Sequence, residues 1–198
     1  MKKNLILSLT LLVGSLMAFG QRTTEAQDGD YTFLKGQKNF NLRFDYEGMT
    51  VGKNLTETDY VDREVAEKEE KEAGSGKEWK EAWENAKINA YEPAFINGFN
   101  KQLKKAGLSA SQGDDAEITL IVQVNRLEPG FYSYAVNRNA ELDLTLTFVE
   151  TANPENIKCQ VIMTKVYGGE GPSVSGRVSA ACTIGGARLG KYIAKTFK

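Results

Sequence analysis

The chain has 198 residues, 41% hydrophobic and 26% charged, with a net charge of −1; this fits one globular domain and argues against nucleic acid as a partner, which needs a concentrated basic face. It contains no histidine, so the commonest general base and the commonest metal ligand are both missing, which argues against an enzyme and a metal centre. Its two cysteines form no C-x-x-C pair, which argues against a dithiol redox site.

Lys2 and Lys3 precede an apolar run from Leu5 to Phe19, and Ala18-Phe19-Gly20 places small residues at the −3 and −1 positions of a cleavage site. Residues 1–20 therefore read as a cleaved signal peptide, too short and wrongly flanked for a transmembrane helix. No cysteine ends the segment to carry a lipid, and no other segment approaches spanning length. The mature protein is expected to be periplasmic or secreted, without a transmembrane segment. Removing the two lysines leaves 23 basic against 26 acidic side chains, a mature net charge of −3.

Residues 21–38 are polar and turn-rich, predicting a flexible lead before a single domain over 39–198. Phe40, Leu42, Phe44 and Tyr46 then alternate with Asn41, Arg43 and Asp45, the pattern of a half-buried strand. Residues 54–76 read as a charged helical insertion, with Tyr60, Val61 and Val65 at helical spacing and Thr56 or Thr58 able to cap. Its carboxylates lack the spacing of a Ca²⁺ loop. Gly74-Ser75-Gly76 ends the helix.

Lys77 to Ala106 predicts a long helix whose Ile88, Tyr91, Phe95, Phe99 and Leu103 form a core-facing stripe. Lys104, Lys105 and Gly107 supply the cations and the glycine of a C-terminus. Pro93 predicts a kink or break near Ala90. A second stripe of Trp79, Trp83, Ala86 and Ala90 lies roughly opposite the first. Either the kink or the charged helix covers both tryptophans, or Trp79 and Trp83 form an exposed ridge for a partner.

Three more alternating runs follow, led by Ile118, Leu120, Val122 and Val124; then Ala140 to Phe148; then Ile157, Cys159, Val161 and Met163. The connection over 128–139 is longer than a tight hairpin needs and carries Phe131, Tyr132, Tyr134 and Arg138. Its aromatics either fold back on the sheet edge or stay free to bind. Tyr167 to Gly176 is glycine-rich but matches neither phosphate-loop pattern, so Ser173 or Ser175 is read as a cap for a last helix over 177–197. On that helix Val178, Ala181, Cys182, Gly185, Leu189, Tyr192 and Ile193 share one face, and its small residues predict close packing on the sheet. Cys159 and Cys182 both fall on core faces. They are either buried thiols or a disulfide closing a loop of about 23 residues, worth about 3 kcal/mol in the chain-entropy model.

The expected fold is α+β: a two-layer sandwich with a four-stranded, mostly antiparallel sheet in the order β-α-β-β-β-α. Two main helices cover one face, with the charged helix as an addition. The first strand, helix and second strand form a parallel crossover if those strands share the sheet.

The run KQLKKAGLSAS to DDAEITLIVQVNRLEPGF, followed by two strands and a helix opening with Arg177, resembles a group of uncharacterised secreted envelope domains of Gram-negative bacteria. Their fold is similar to the N-terminal domain of TolB. The resemblance covers residues 40–198 apart from 54–76 and implies no catalytic residue. The leading reading is thus a non-catalytic exported envelope module that binds another envelope protein, without a cofactor. Its candidate contact residues are Trp79, Trp83, Phe131, Tyr132, Tyr134 and Arg138. The alternative is a small ligand, glycan or peptide, held on the open sheet face or by the 128–139 loop. A third reading takes Glu141 and Asp143, two apart on one strand face, as glycosidase carboxylates; a solvated strand face explains them better.

Overall fold

The computed structural model describes residues 24–113 and 115–196; the expected signal segment over 1–20 lies outside the described residues. In chain order the elements are β1 (Thr24–Gly29), β2 (Asn39–Asp45), β3 (Thr50–Val51), β4 (Leu55–Thr56), α1 (Glu57–Lys71) and α2 (Ser75–Ala86). A π-helical turn (Lys87–Tyr91) leads to α3 (Glu92–Leu103), β5 (Ser109–Gln112) and β6 (Ile118–Glu128). A short hairpin of β7 (Phe131–Tyr132) and β8 (Asn137–Arg138) precedes β9 (Glu141–Glu150), β10 (Asn153–Tyr167) and α4 (Val174–Thr196).

Alternation in the four long strands builds one mixed sheet, ordered β1-β10-β9-β6-β2-β5, with β3 beside β6 and β4 beside β3. β2 runs parallel to β6, with Leu42 opposite Leu120, as a crossover requires. β6, β9, β10 and β1 pair antiparallel. The α+β class holds, but the sheet has eight strands instead of the expected four. The four additions are short or polar (TEAQDG, TV, LT and SASQ) and carry no sustained apolar alternation. They form because the outer edges of the core strands present backbone groups that need partners. For the same reason part of 21–38 is an edge strand instead of a flexible lead, and the buried Tyr31 and Leu34 belong to the core.

Register puts Phe148, Leu146 and Leu144 opposite Leu120, Val122 and Val124, on the face that α3 and α4 cover. Phe99 packs on Phe40 and Phe95 on Phe44, with ring centroids 5.5 and 5.7 Å apart. Glycines let α4 sit close on both neighbours. A Cβ on Gly185 would lie 3.0 Å from Leu144 Cδ1 of the sheet, and one on Gly186 only 2.3 Å from Phe95 O of α3. On the other helix, a Cβ on Gly98 would meet Thr183 O of α4. The two helix backbones are therefore in direct contact.

Pro93 lies in the first turn of α3, directly after a π-helical turn through which the helical run continues, so the residue without an N–H falls where the regular i→i−4 ladder is already interrupted. The break expected near Ala90 is the π-helical turn, whose i→i+5 pattern shifts the helix phase. That shift corrects the predicted stripe: Tyr91, Phe95, Phe99 and Leu103 are buried, but Ile88 is exposed.

Of the two alternatives for the tryptophan stripe, the exposed ridge is corrected and cover by the charged helix holds. α1, capped by the Thr56 hydroxyl, packs on α2, and Gly76 permits the approach because its Cβ would stand 2.6 Å from Val65 O. Tyr60 of α1 reaches Trp83 and Trp79 at 5.1 and 6.1 Å, and the two indoles stack at 5.5 Å. Trp83 is buried, its Nε1 donating to Glu57 Oε1 at 2.7 Å, while Trp79 is half-buried. The charged helix needs an apolar face to bury its own Tyr60 and Val61, and the indoles supply it.

Cys159 and Cys182 are buried free thiols, not a disulfide. The cause is direction: α4 folds back along the sheet, with Gly168 beside Arg177 and Ala181 at its start. Cys182 therefore sits near the end of β10, among Tyr46, Tyr91 and Leu142. Cys159 lies early in β10, opposite Phe148 and Gly29. Seven residues of strand span about 23 Å, beyond the roughly 7 Å limit for bonded Cα atoms. Among the described residues, no helix is long and apolar enough to cross a membrane.

Candidate functional site

The 128–139 segment folds as a hairpin whose shape follows from its sequence. Gly130 adopts φ +64°, and a Cβ there would overlap Arg138 O, so glycine is required where the two arms close. Phe131 pairs with Arg138 and Tyr132 with Asn137. At the tip, Ser133 Oγ donates to Val136 O at 2.6 Å and accepts from Val136 N at 3.1 Å. Asn137 Oδ1 accepts from Ser133 N at 3.2 Å. The tip's polar atoms are thus spent on its own conformation, and its apolar side chains remain in water. Phe131 is 47% exposed, Tyr132 53%, Val136 59%, and Tyr134 fully so. The aromatics stay free instead of folding back.

One residue that the sequence reading named only as the opening of the last helix holds this hairpin in place. Arg177, in the first turn of α4, is 3% exposed. Its Nε donates to Pro129 O at 3.0 Å, its Nη2 to Gly130 O at 3.2 Å and its Nη1 to Gly171 O at 2.5 Å. A guanidinium whose donors diverge in a plane suits three carbonyls from two loops. The signal was available: Arg177 stands four residues before Ala181, on the helix face that otherwise reads as core. The glycine-rich connection is explained by the same contact. A Cβ on Gly168 would overlap Arg177 O, so this glycine serves close packing, and Ser173 Oγ accepts from Gly176 N as the helix cap.

Between the hairpin and this connection lies a cleft of about 470 Å³, walled by Phe131, Val136, Arg138, Glu141, Tyr167 and Glu170. Beside it Arg126 donates from Nε to Asp143 Oδ2 at 2.8 Å and from Nη2 to Glu141 Oε2 at 3.0 Å. Burial works against the charged guanidinium, but its hydrogen bonds to Asp143 and Glu141 outweigh this and raise its pKa. Asp143 Oδ1 also accepts from Lys165 N at 2.7 Å. The two carboxylates share a face, as their spacing predicts, and both are engaged as salt-bridge acceptors. Arg138 lies within 3.7 Å of Glu128 and 3.9 Å of Glu141. The Tyr167 hydroxyl is buried without a hydrogen-bond partner among the described residues. Burial, then the nearby Glu141 charge, raises its pKa.

Of the six candidate contact residues, the structure gathers Phe131, Tyr132, Tyr134 and Arg138 on the hairpin and puts Trp79 and Trp83 under α1. The open sheet face pairs its own polar groups, with Asn125 donating to Thr145 at 2.8 Å and Gln160 to Thr147 at 3.2 Å. A wider groove of about 810 Å³ at another edge includes Phe33, Glu117, Glu150 and Lys158. Its charges are largely paired, Lys158 with Glu150 at 2.5 Å and Gln37 with Glu117 at 2.8 Å.

No family model matches the chain, and no curated protein matches it. Among solved structures, it is similar to two of the PelC dodecamer from Paraburkholderia phytofirmans, one of them a point variant. The variant is 15% identical and the other 12%, each with a TM-score of 0.42, covering 87% of this chain and 97% of that one.

Proposed function

We propose that this protein is an exported, non-catalytic envelope module that binds another envelope protein through the β7–β8 hairpin. The observation that carries the reading is four large apolar side chains, Phe131, Tyr132, Tyr134 and Val136, exposed together on one anchored hairpin. Contiguous exposed apolar side chains of this kind mark interaction surfaces, and aromatic anchors dominate their energetics. The envelope setting rests on the signal-like N-terminus and on the resemblance to TolB-like envelope domains.

The test is a photo-crosslinking amino acid at Ala135 in the full chain, expressed in its own cells, with the same probe at Ile184 on α4 as control. One dominant protein adduct from Ala135, absent from Ile184 and lost in the Phe131→Ala/Tyr132→Ala/Val136→Ala variant, is expected. Equal labelling from both positions, or none from Ala135, refutes the reading.

A second reading, a small glycan or peptide ligand, is favoured by one observation: the partnerless Tyr167 hydroxyl in the wall of the cleft. Isothermal titration against panels of envelope glycans and peptides, flat throughout, would remove it.

A further inference from the structure

We propose that the cleft beside the hairpin takes a basic side chain, lysine or arginine, from a segment of the partner protein. This rests on the binding role proposed for the hairpin and names the chemistry of what is bound.

Charge is the first ground. Around the cleft stand four carboxylates, Glu128, Glu141, Asp143 and Glu170, and three guanidiniums, Arg126, Arg138 and Arg177, the last spent on the carbonyls of Pro129, Gly130 and Gly171. Arg126 is held by Glu141 and Asp143, and Arg138 lies between Glu128 and Glu141, so neither cation is free to receive an anion. Glu170 is exposed and has no ion-pair partner among the described residues. The surplus is negative, and a bound carboxylate or phosphate would have to displace one already in place.

Shape and apolar lining are the second. Phe131 and Val136 form one wall, which suits the aliphatic stem of a lysine or arginine, and the face of Phe131 favours a cation near it. The Tyr167 oxygen has no donor among the described residues, and an ammonium or guanidinium would supply one. About 470 Å³ exceeds what one side chain fills, leaving space for the flanking backbone. A protein segment, not a free amine, is the occupant because Tyr132 and Tyr134 extend the apolar surface beyond the cleft.

The experiment measures fluorescence anisotropy of two labelled hexapeptides, alternating valine with lysine or valine with glutamate, against the purified protein at low and high salt. The lysine peptide is expected to bind at least about tenfold tighter, with affinity falling as salt screens the charges. Glu170→Gln, at an exposed position, should weaken it roughly two- to fivefold. Tyr167→Phe should weaken it roughly two- to tenfold. Equal binding of both peptides, binding of neither, or no effect of both substitutions overturns the proposal. Repeating the Ala135 crosslink in the Glu170→Gln/Tyr167→Phe background separates the two readings. A partner adduct retained there, with no lysine selectivity, leaves the hairpin's role standing and ends this one.

Discussion

Replacing Gly186 by alanine tests whether α3 and α4 touch through their backbones. The added Cβ would sit 2.3 Å from Phe95 O and 3.1 Å from Phe99 N, where ordinary contact begins at 3.4 Å. Both obstacles are main chain of a helix that is anchored on β2 through Phe95 and Phe99, so neither can swing aside. The helices must part by about an ångström, which for overpacking against a rigid neighbour costs about 3 kcal/mol. Alanine returns about 1 kcal/mol through better helix propensity. The net loss is therefore about 2 kcal/mol, or about 4–8 °C in melting temperature for a domain of this size. Gly176 in the same helix is the control, because a Cβ there meets only Ser173 at 3.6 Å. Gly176→Ala should be neutral or stabilising by up to about 1 kcal/mol. Urea unfolding followed by circular dichroism measures both. A Gly186→Ala protein as stable as the parent, or equal losses in both variants, refutes the close approach.

Arg177→Met leaves the carbonyls of Pro129, Gly130 and Gly171 without their donors, at a cost of about 2–3 kcal/mol. Hydrogen exchange over 131–138 should accelerate more than in β6 or β9, with Arg177→Lys intermediate; unchanged protection there would show that the guanidinium does not hold the hairpin. Trp83→Ala removes a buried indole and its bond to Glu57, a loss of about 3–5 kcal/mol, whereas the half-buried Trp79→Ala should cost clearly less by thermal unfolding. Thiol titration without reductant should find no reactive cysteine in the native protein and two after denaturation; none after denaturation would mean a disulfide. Burial raises the Cys159 thiol to about 11 and that of Cys182 to about 12. In the unfolded chain both ionise near about 8.5. The unfolded state therefore loses protons first, so stability is full below about pH 8.5 and falls as pH rises toward 11 and beyond. Unfolding midpoints at pH 7 and pH 10 check the sign, and a midpoint that rises with pH contradicts it.

Much of the sheet was legible because β2, β6, β9 and β10 each bury one face, and burial on one side writes a period of two into the residues themselves. The break before Pro93, the cap by Thr56 and the long aromatic-bearing connection were legible for similar local reasons, each depending on a residue's own backbone or on neighbours a few positions away, whereas the β7–β8 pairing within that connection was not read. The hairpin supplied four of the six candidate contacts. The other two, Trp79 and Trp83, were left between cover by the charged helix and an exposed ridge, because their cover, Tyr60, lies about twenty residues away and only tertiary packing decides between the two.

By itself, then, the amino-acid order determined the class of the fold, its long strands and helices, the break in the helical region and the place of the aromatic-bearing connection, whose exposure only the tertiary structure decided. Tertiary structure alone decided the four added strands, whose residues have no period of their own and pair only because core strands present open edges. It alone separated Cys159 from Cys182, since the direction in which α4 returns is set by packing. The cleft belongs there too. Arg126, the pair Arg138 and Glu141, and the pair Tyr167 and Glu170 come from three stretches of chain, and only the register of β6 on β9 and of β9 on β10 brings them together. Local preference is carried by near neighbours, but a site assembled across strands is set by which backbones pair.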